Sequence, residues 1–176
     1  STSSAASDVY KRQIVYGVSA FGLSNQTSLN RSEAKALIDA YYETYPQLKD
    51  YMRQQVDFAR ENGYVETVLG RRRYLKDINS QNSIVRGAAE RNAVNAPIQG
   101  SAADIIKIAM LRIHEKLNGF ESKMLLQVHD ELVFDVKKSE LNSLTSMIKT
   151  EMEQAYALKV PLVVDVGIGM NWLEAH

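Results

Sequence analysis

The chain has 176 residues, with 21 Lys and Arg balanced by 21 Asp and Glu, and no cysteine. The missing cysteines exclude disulfides and thiolate metal centres, and the zero net charge means that any nucleic-acid contact must come from a local basic patch. A hydrophobic content of 45% suits a folded chain with a core, holding one domain or parts of two. No apolar run reaches membrane-spanning length and the first residues lack a secretory apolar core, so the expected location is intracellular.

Residues 1–13 read as a non-native, adapter-like tail. Ser-Thr-Ser-Ser-Ala-Ala-Ser is low in complexity, and the following six residues, Asp8 to Gln13, carry no helical or strand period. Ile14-Val15-Tyr16-Gly17 then reads as a helix end with a glycine stop, followed by a turn-rich connection around Phe21-Gly22-Leu23. Asn30 or Ser32 caps a helix whose stripe is Ala34, Leu37, Ile38 and Tyr41. Pro46 suits the first turn of the next helix, which runs to about residue 63 with Leu48, Tyr51, Met52, Val56 and Phe58 as packing candidates. Residues 64–68 alternate like a strand, Gly70-Arg71 turns the chain, and Arg73-Tyr74-Leu75 returns. Arg71, Arg72, Arg73 and Lys76 form the densest basic cluster, suited to phosphate contact or to a solvated edge.

Residues 82–118 form the longest helical stretch. Arg91, Asn95 and Gln99 fall at i, i+4 and i+8, on one face among small residues, and Pro97 is expected to kink or briefly break the helix. Long polar side chains on such a face can reach the minor groove, whose acceptors are common to every base pair. Next come two short apolar runs pinched around a polar tip. Met124, Leu126 and Val128 alternate before it and Leu132, Phe134 and Val136 after it, which predicts a hairpin with His129, Asp130 and Glu131 at the apex. Asp suits a turn conformation, and paired carboxylates there invite a divalent cation, although a lone Asp-Glu pair is usually solvated surface. Ser139 opens a helix with Leu141, Leu144, Ile148, Met152 and Ala155 on one face, and Leu162, Val164, Val166 and Ile168 alternate like a further strand. The order helix, strand, strand, helix, strand predicts an α+β layer.

Four runs share one resemblance. Gln-Val-His-Asp-Glu-Leu-Val-Phe, at residues 127–134, resembles the motif C hairpin of family A DNA polymerases. Arg-Asn-Ala-Val-Asn-Ala-Pro-Ile-Gln-Gly-Ser-Ala-Ala-Asp-Ile-Ile-Lys resembles the segment with which they grip primer–template duplex. Ile-Val-Tyr-Gly-Val-Ser-Ala-Phe-Gly-Leu resembles the tail of motif B. The closing Val-Gly-Ile-Gly-Met-Asn-Trp-Leu-Glu-Ala-His resembles the family's C-terminus. The resemblance covers residues 14–176.

It implies an α+β fold in which a helical fingers remnant packs on a palm-type antiparallel sheet with helices on one face. Residues 14–85 would be partial fingers and 86–176 partial palm. The implied activity is deoxynucleotidyl transfer to a primer 3′-hydroxyl with two Mg²⁺ ions. Asp130 is the implied metal ligand, Glu131 a second or supporting carboxylate, and His129 a neighbour of the primer terminus. Arg91, Asn95, Gln99, Arg71, Arg72 and Arg73 would contact DNA, and Tyr16 the templating base. By the family's spacing the Lys that grips the nucleotide belongs at position 8, where this chain has Asp8, and no motif A is present. The 176 residues are therefore expected to be inactive alone, and a non-catalytic duplex-binding module is the alternative. Implied partners are primer–template DNA and dNTPs, with no membrane and no oligomer, in a bacterial cytoplasm or nucleoid.

Overall fold

Helix α1, Ala20–Gln26, starts where Ser19 accepts the Gly22 N–H at 3.1 Å. This stretch was expected to be a connection; the Ser19 cap and the burial of Leu23 make it helical instead. Asn30 caps α2, Arg31–Thr44, through a capping box closed by Glu33, an arrangement worth about 1 kcal/mol. Pro46 opens α3, Pro46–Asn62, where its missing N–H costs no helical bond. Gly63 ends α3 with φ 77°, a left-handed value that favours glycine. Strands β1, Tyr64–Glu66, and β2, Arg72–Tyr74, then pair antiparallel.

The computed structural model describes residues 14, 15 and 17–175. The adapter-like tail, Tyr16 and His176 lie outside them. Two compact units, Ser1–Gln99 and Gly100–His176, divide the chain.

The first unit has its core where Ala59 and Val56 of α3, Val65 of β1, and Leu75 and Ile78 meet Ala89, Ala93 and Ala96. Those alanines lie on α4, Ser83–Lys116. Their small side chains let the helix backbone come close to α3. Phe58, an expected packing residue, is 38% exposed and packs edge-on against the Tyr64 ring, while Ala59 is fully buried. The brief break expected at Pro97 is absent, and α4 continues through it. One lost backbone bond in 34 residues is offset by the packing of the alanine stripe.

In the second unit, β3, Lys123–Val128, pairs antiparallel with β4, Glu131–Asp135. A 3₁₀ turn, Lys138–Glu140, leads into α5, Leu141–Glu153. Leu132, Phe134 and Val136 pack against Ala109, Ile113, Leu144 and Ile148. Leu144 and Ile113 are fully buried, so truncating either to Ala would cost about 2–5 kcal/mol. Lys116 bonds the mostly buried Glu151 at 2.6 Å, and Arg112 donates to the Gln154 carbonyl at 2.7 Å, tying α4 to α5.

Two expectations about this unit need correction. Met124, Leu126 and Val128 do not share a face. The pairing runs Met124↔Phe134 and then Leu126↔Val133, leaving Leu125 as an extra residue. This bulge reverses the parity of the strand, because paired residues share a face. Met124 and Gln127 therefore lie on the side of Phe134 and Leu132, and Leu126 and Val128 on the side of Val133 and Glu131. The second correction is that residues 162–168 form no ladder; among the described residues each sheet has two strands. Alternation specifies two faces but supplies no hydrogen-bonding neighbour. The chain's own end lies against this segment instead. A Cβ on Gly167 would fall 1.6 Å from the Ala175 carbonyl oxygen, so only glycine admits the approach of α6, Trp172–Ala175.

The architecture is α+β: helices with two small antiparallel hairpins. No described helix is long and apolar enough to cross a membrane.

Candidate active site and nucleic-acid interface

The acidic turn is a two-residue connection. Val128 pairs with Glu131, so His129 and Asp130 are the two turn residues. His129 has φ 54° and is the sole non-glycine with positive φ among the described residues. Asp130 lies in the turn as expected, and the left-handed position within it falls on His129. Two-residue hairpins need a positive φ in the turn to match the strand twist, and glycine usually supplies it. Here Gln127 donates from Nε2 to the His129 carbonyl at 2.8 Å, which helps to hold the costly conformation. His129 and Asp130 are exposed, and Glu131, the first residue of β4, is half-buried.

Asp130 and Glu131 offer hard oxygen donors, the kind that Mg²⁺ takes. Among the described residues no three His, Cys, Asp or Glu side chains converge as a metal site. The donor set therefore fits in kind but is partial in number.

The basic hairpin and the Arg91 face belong to the first unit. Arg91 and Gln99 are exposed, and Asn95 is half-buried with its side-chain oxygen shielded from solvent. Arg91 also lines a cleft of about 390 Å³ with Arg53, Arg60, Asp57, Glu90 and Gly17. Two of those arginines are committed elsewhere: Arg60 to Glu90 at 2.7 Å, and Arg53 to Asp50 at 3.3 Å.

The three hairpin arginines are not equivalent. The Arg72 Nε donates to Glu66 at 2.7 Å, and its guanidinium lies 4.4 Å from the centre of the Tyr64 ring. The bond to Glu66 raises the Arg72 pKa above its ordinary value. Arg71 stands at the turn, where its N–H donates to the Thr67 hydroxyl at 3.2 Å. Arg73 is exposed, with no ion pair to another described residue.

A sequence profile for DNA polymerase family A matches residues 10–174, nearly the whole chain. The chain belongs to DNA polymerase family A. It is 54% identical over 164 residues to a DNA polymerase I of Streptococcus pneumoniae, covering 92% of this chain and 19% of that protein. It is 51% identical over 163 residues to that of Caldicellulosiruptor bescii, with the same coverage. Identity to the Mycobacterium tuberculosis DNA polymerase I is 50% over 161 residues, 90% of this chain and 18% of that protein. The family A chain thus spans about a fifth of the length of these relatives. A solved structure, the POL domain of Pol1 from M. smegmatis in complex with DNA primer-template and dNTP, matches with a TM-score of 0.92. That match has 47% identity and covers 96% of this chain and 30% of the other.

Two hydrogen-bonding residues of the acidic hairpin and its base have no signature of that role in the sequence. Gln127 lay inside a recognised motif, but its role as a turn latch needed the His129 dihedral. Glu140 lay outside every motif, and its reach back to residues 121 and 122 appears only in three dimensions.

Proposed function

We propose that this chain is part of a template-directed DNA polymerase, acting on primer–template DNA and dNTPs. The observation that carries the reading is Asp130 on a constrained two-residue turn, with Glu131 next to it at the start of β4, in a family A chain. Residues 14–85 would act as fingers and residues 86–176 as palm.

In this reading Asp130 is a Mg²⁺ ligand. Glu131 supports the site, because adjacent side chains at a strand end diverge. Bound Mg²⁺ would neutralise charge on the transferring phosphoryl group and activate the 3′-oxygen, in a two-ion arrangement completed by ligands from elsewhere. His129 lies beside the primer terminus. Arg91, Asn95 and Gln99 check the minor-groove edge of the duplex without reading its sequence, and Tyr16 meets the templating base. Arg71 and Arg73 contact phosphates. Arg72 orders the hairpin that presents them, since Glu66 and Tyr64 already hold its guanidinium.

The test uses a chimera in which residues 14–176 replace the matching segment of a family A polymerase. Asp130→Ala should remove most nucleotide addition, a loss of several kcal/mol of transition-state stabilisation, while DNA binding persists. Glu131→Ala should cost less. The opposite ranking would make Glu131 the primary ligand, and full activity in both variants would end the proposal. A second reading, duplex binding without catalysis by the 176 residues alone, is favoured by the partial donor set.

A further inference from the structure

The two strands of the acidic hairpin are held unequally. β4 packs Leu132 and Phe134 against the helices, and Val136 just beyond it does the same, but β3 contributes no residue to that core. β3 also carries the bulge at Leu125, which locally disrupts its ladder with β4. An isolated two-stranded hairpin is marginal in water. Something other than apolar packing has to fix the entry of β3.

The Glu140 carboxylate does so. It accepts the Glu121 N–H at 3.1 Å, the Ser122 N–H at 3.1 Å and the Ser122 hydroxyl at 2.6 Å. The same hydroxyl accepts the Lys137 N–H at 3.0 Å, and Ser122 is only 5% exposed. One carboxylate thus joins the residues before β3 to the start of α5 and, through the Ser122 hydroxyl, to Lys137, two residues past the end of β4. The other charged groups around it are Lys137, which pairs with Glu121, and Lys138 on its own turn.

We infer that Glu140 is a positioning residue for the acidic turn: by clamping Ser122 it fixes the register of β3 on β4, and with it the direction in which Asp130 is presented. This rests on the reading of Asp130 as the acidic tip of a polymerase. The leverage is geometric. Six residues of strand span roughly 20 Å, so a rotation of about 10° at the base moves the turn by about 3 Å. A misplacement of about 1 Å can cost about a hundredfold in rate.

The test is residue-resolved amide exchange on the 176-residue chain, comparing the parent with Glu140→Gln, Ser122→Ala and the double variant. Exchange across residues 124–133 should rise about tenfold or more in each single variant, as expected for lost charge-assisted bonds. The double variant should add little, because both changes break one clamp. Amides of α5 near Leu144 and Ile148 should keep their rates, which also shows that the variants fold. Equal acceleration throughout residues 100–175 would make Glu140 merely structural and overturn the inference, as would unchanged exchange at the turn. Nucleotide addition by the polymerase chimera separates the two readings. If Asp130→Ala leaves full activity there while the exchange result holds, the acidic-tip reading fails and the clamp stands.

Discussion

The Gln127 amide and the His129 carbonyl, 2.8 Å apart, close the acidic turn from inside. A side chain two residues upstream thereby stabilises a left-handed backbone that a histidine seldom adopts. Gln127→Ala should cost about 1 kcal/mol, the net value of one hydrogen bond. His129→Gly should be neutral or stabilising, because glycine accepts φ 54° without strain. His129→Val should lose about 1–2 kcal/mol, since a β-branched side chain resists that region. Chemical denaturation of the three variants checks the ranking. A His129→Val variant as stable as His129→Gly would mean that the turn relaxes and that no strain is held there.

Local signals in the sequence located much of this fold. The capping residue Asn30, the Pro46 start, the Gly63 stop and the arginine hairpin all depend on neighbours a few residues away, so the sequence displays them. The alternation in β4 also identified its packed face. What escaped depends on distant partners or on counting pairs. The Leu125 bulge adds one residue to one strand and leaves the hydrophobic pattern of β3 looking regular. Residues 162–168 have the period of a strand and no ladder neighbour. The clamp of Ser122 by Glu140 spans 18 residues with no periodic trace. In the acidic site, the residue types were legible, but His129 as the strained position and Gln127 as its latch were not.

Arg72 and Arg73 should respond differently to removal. Arg73 makes no ion pair with another described residue, so Arg73→Ala should weaken DNA binding and lower the salt slope by about 0.9, the value for one lost phosphate contact. Arg72→Ala should leave the slope nearly unchanged and loosen the hairpin, because Glu66 and Tyr64 hold its guanidinium. Binding titrations of the polymerase chimera across a salt series measure both. An equal drop in slope for the two variants would mean that Arg72 leaves Glu66 to reach phosphate.

The clamp predicts a pH dependence. The Ser122 hydroxyl, then the Glu121 N–H, hold the Glu140 carboxyl below the usual glutamate range. A carboxylate whose pKa is depressed by folding binds its proton more readily when unfolded. Its contribution is therefore fully present above the unfolded value and is lost as pH falls through the lower folded value. Stability of the parent should decline over that acidic window, and Glu140→Gln should lack this share of the decline. Denaturation midpoints from neutral pH downward, compared between the two, give the answer. Parallel profiles would assign the acid sensitivity to other carboxylates.

The 176-residue chain alone should not extend a primer. Its acidic turn offers two adjacent carboxylates, and no third acidic or histidine side chain joins them among the described residues. Two Mg²⁺ ions need more ligands than this pair provides, because each keeps near-octahedral oxygen coordination. At the position where the family's spacing calls for a lysine to grip the triphosphate, the chain has Asp8, whose charge would repel it. Phosphoryl transfer draws its rate from positioning and charge neutralisation, and both are weakened here. Such losses act as a unit and cannot be summed. Weak DNA binding through Arg71, Arg73 and Arg91 can persist, and it should fall steeply with salt. The measurement is primer extension with purified chain, Mg²⁺ and all four dNTPs, with an Asp130→Ala chain as the control for contaminating polymerase. Extension above that control would mean that the Asp130–Glu131 pair is self-sufficient, and the account of its partial donor set would have to be abandoned.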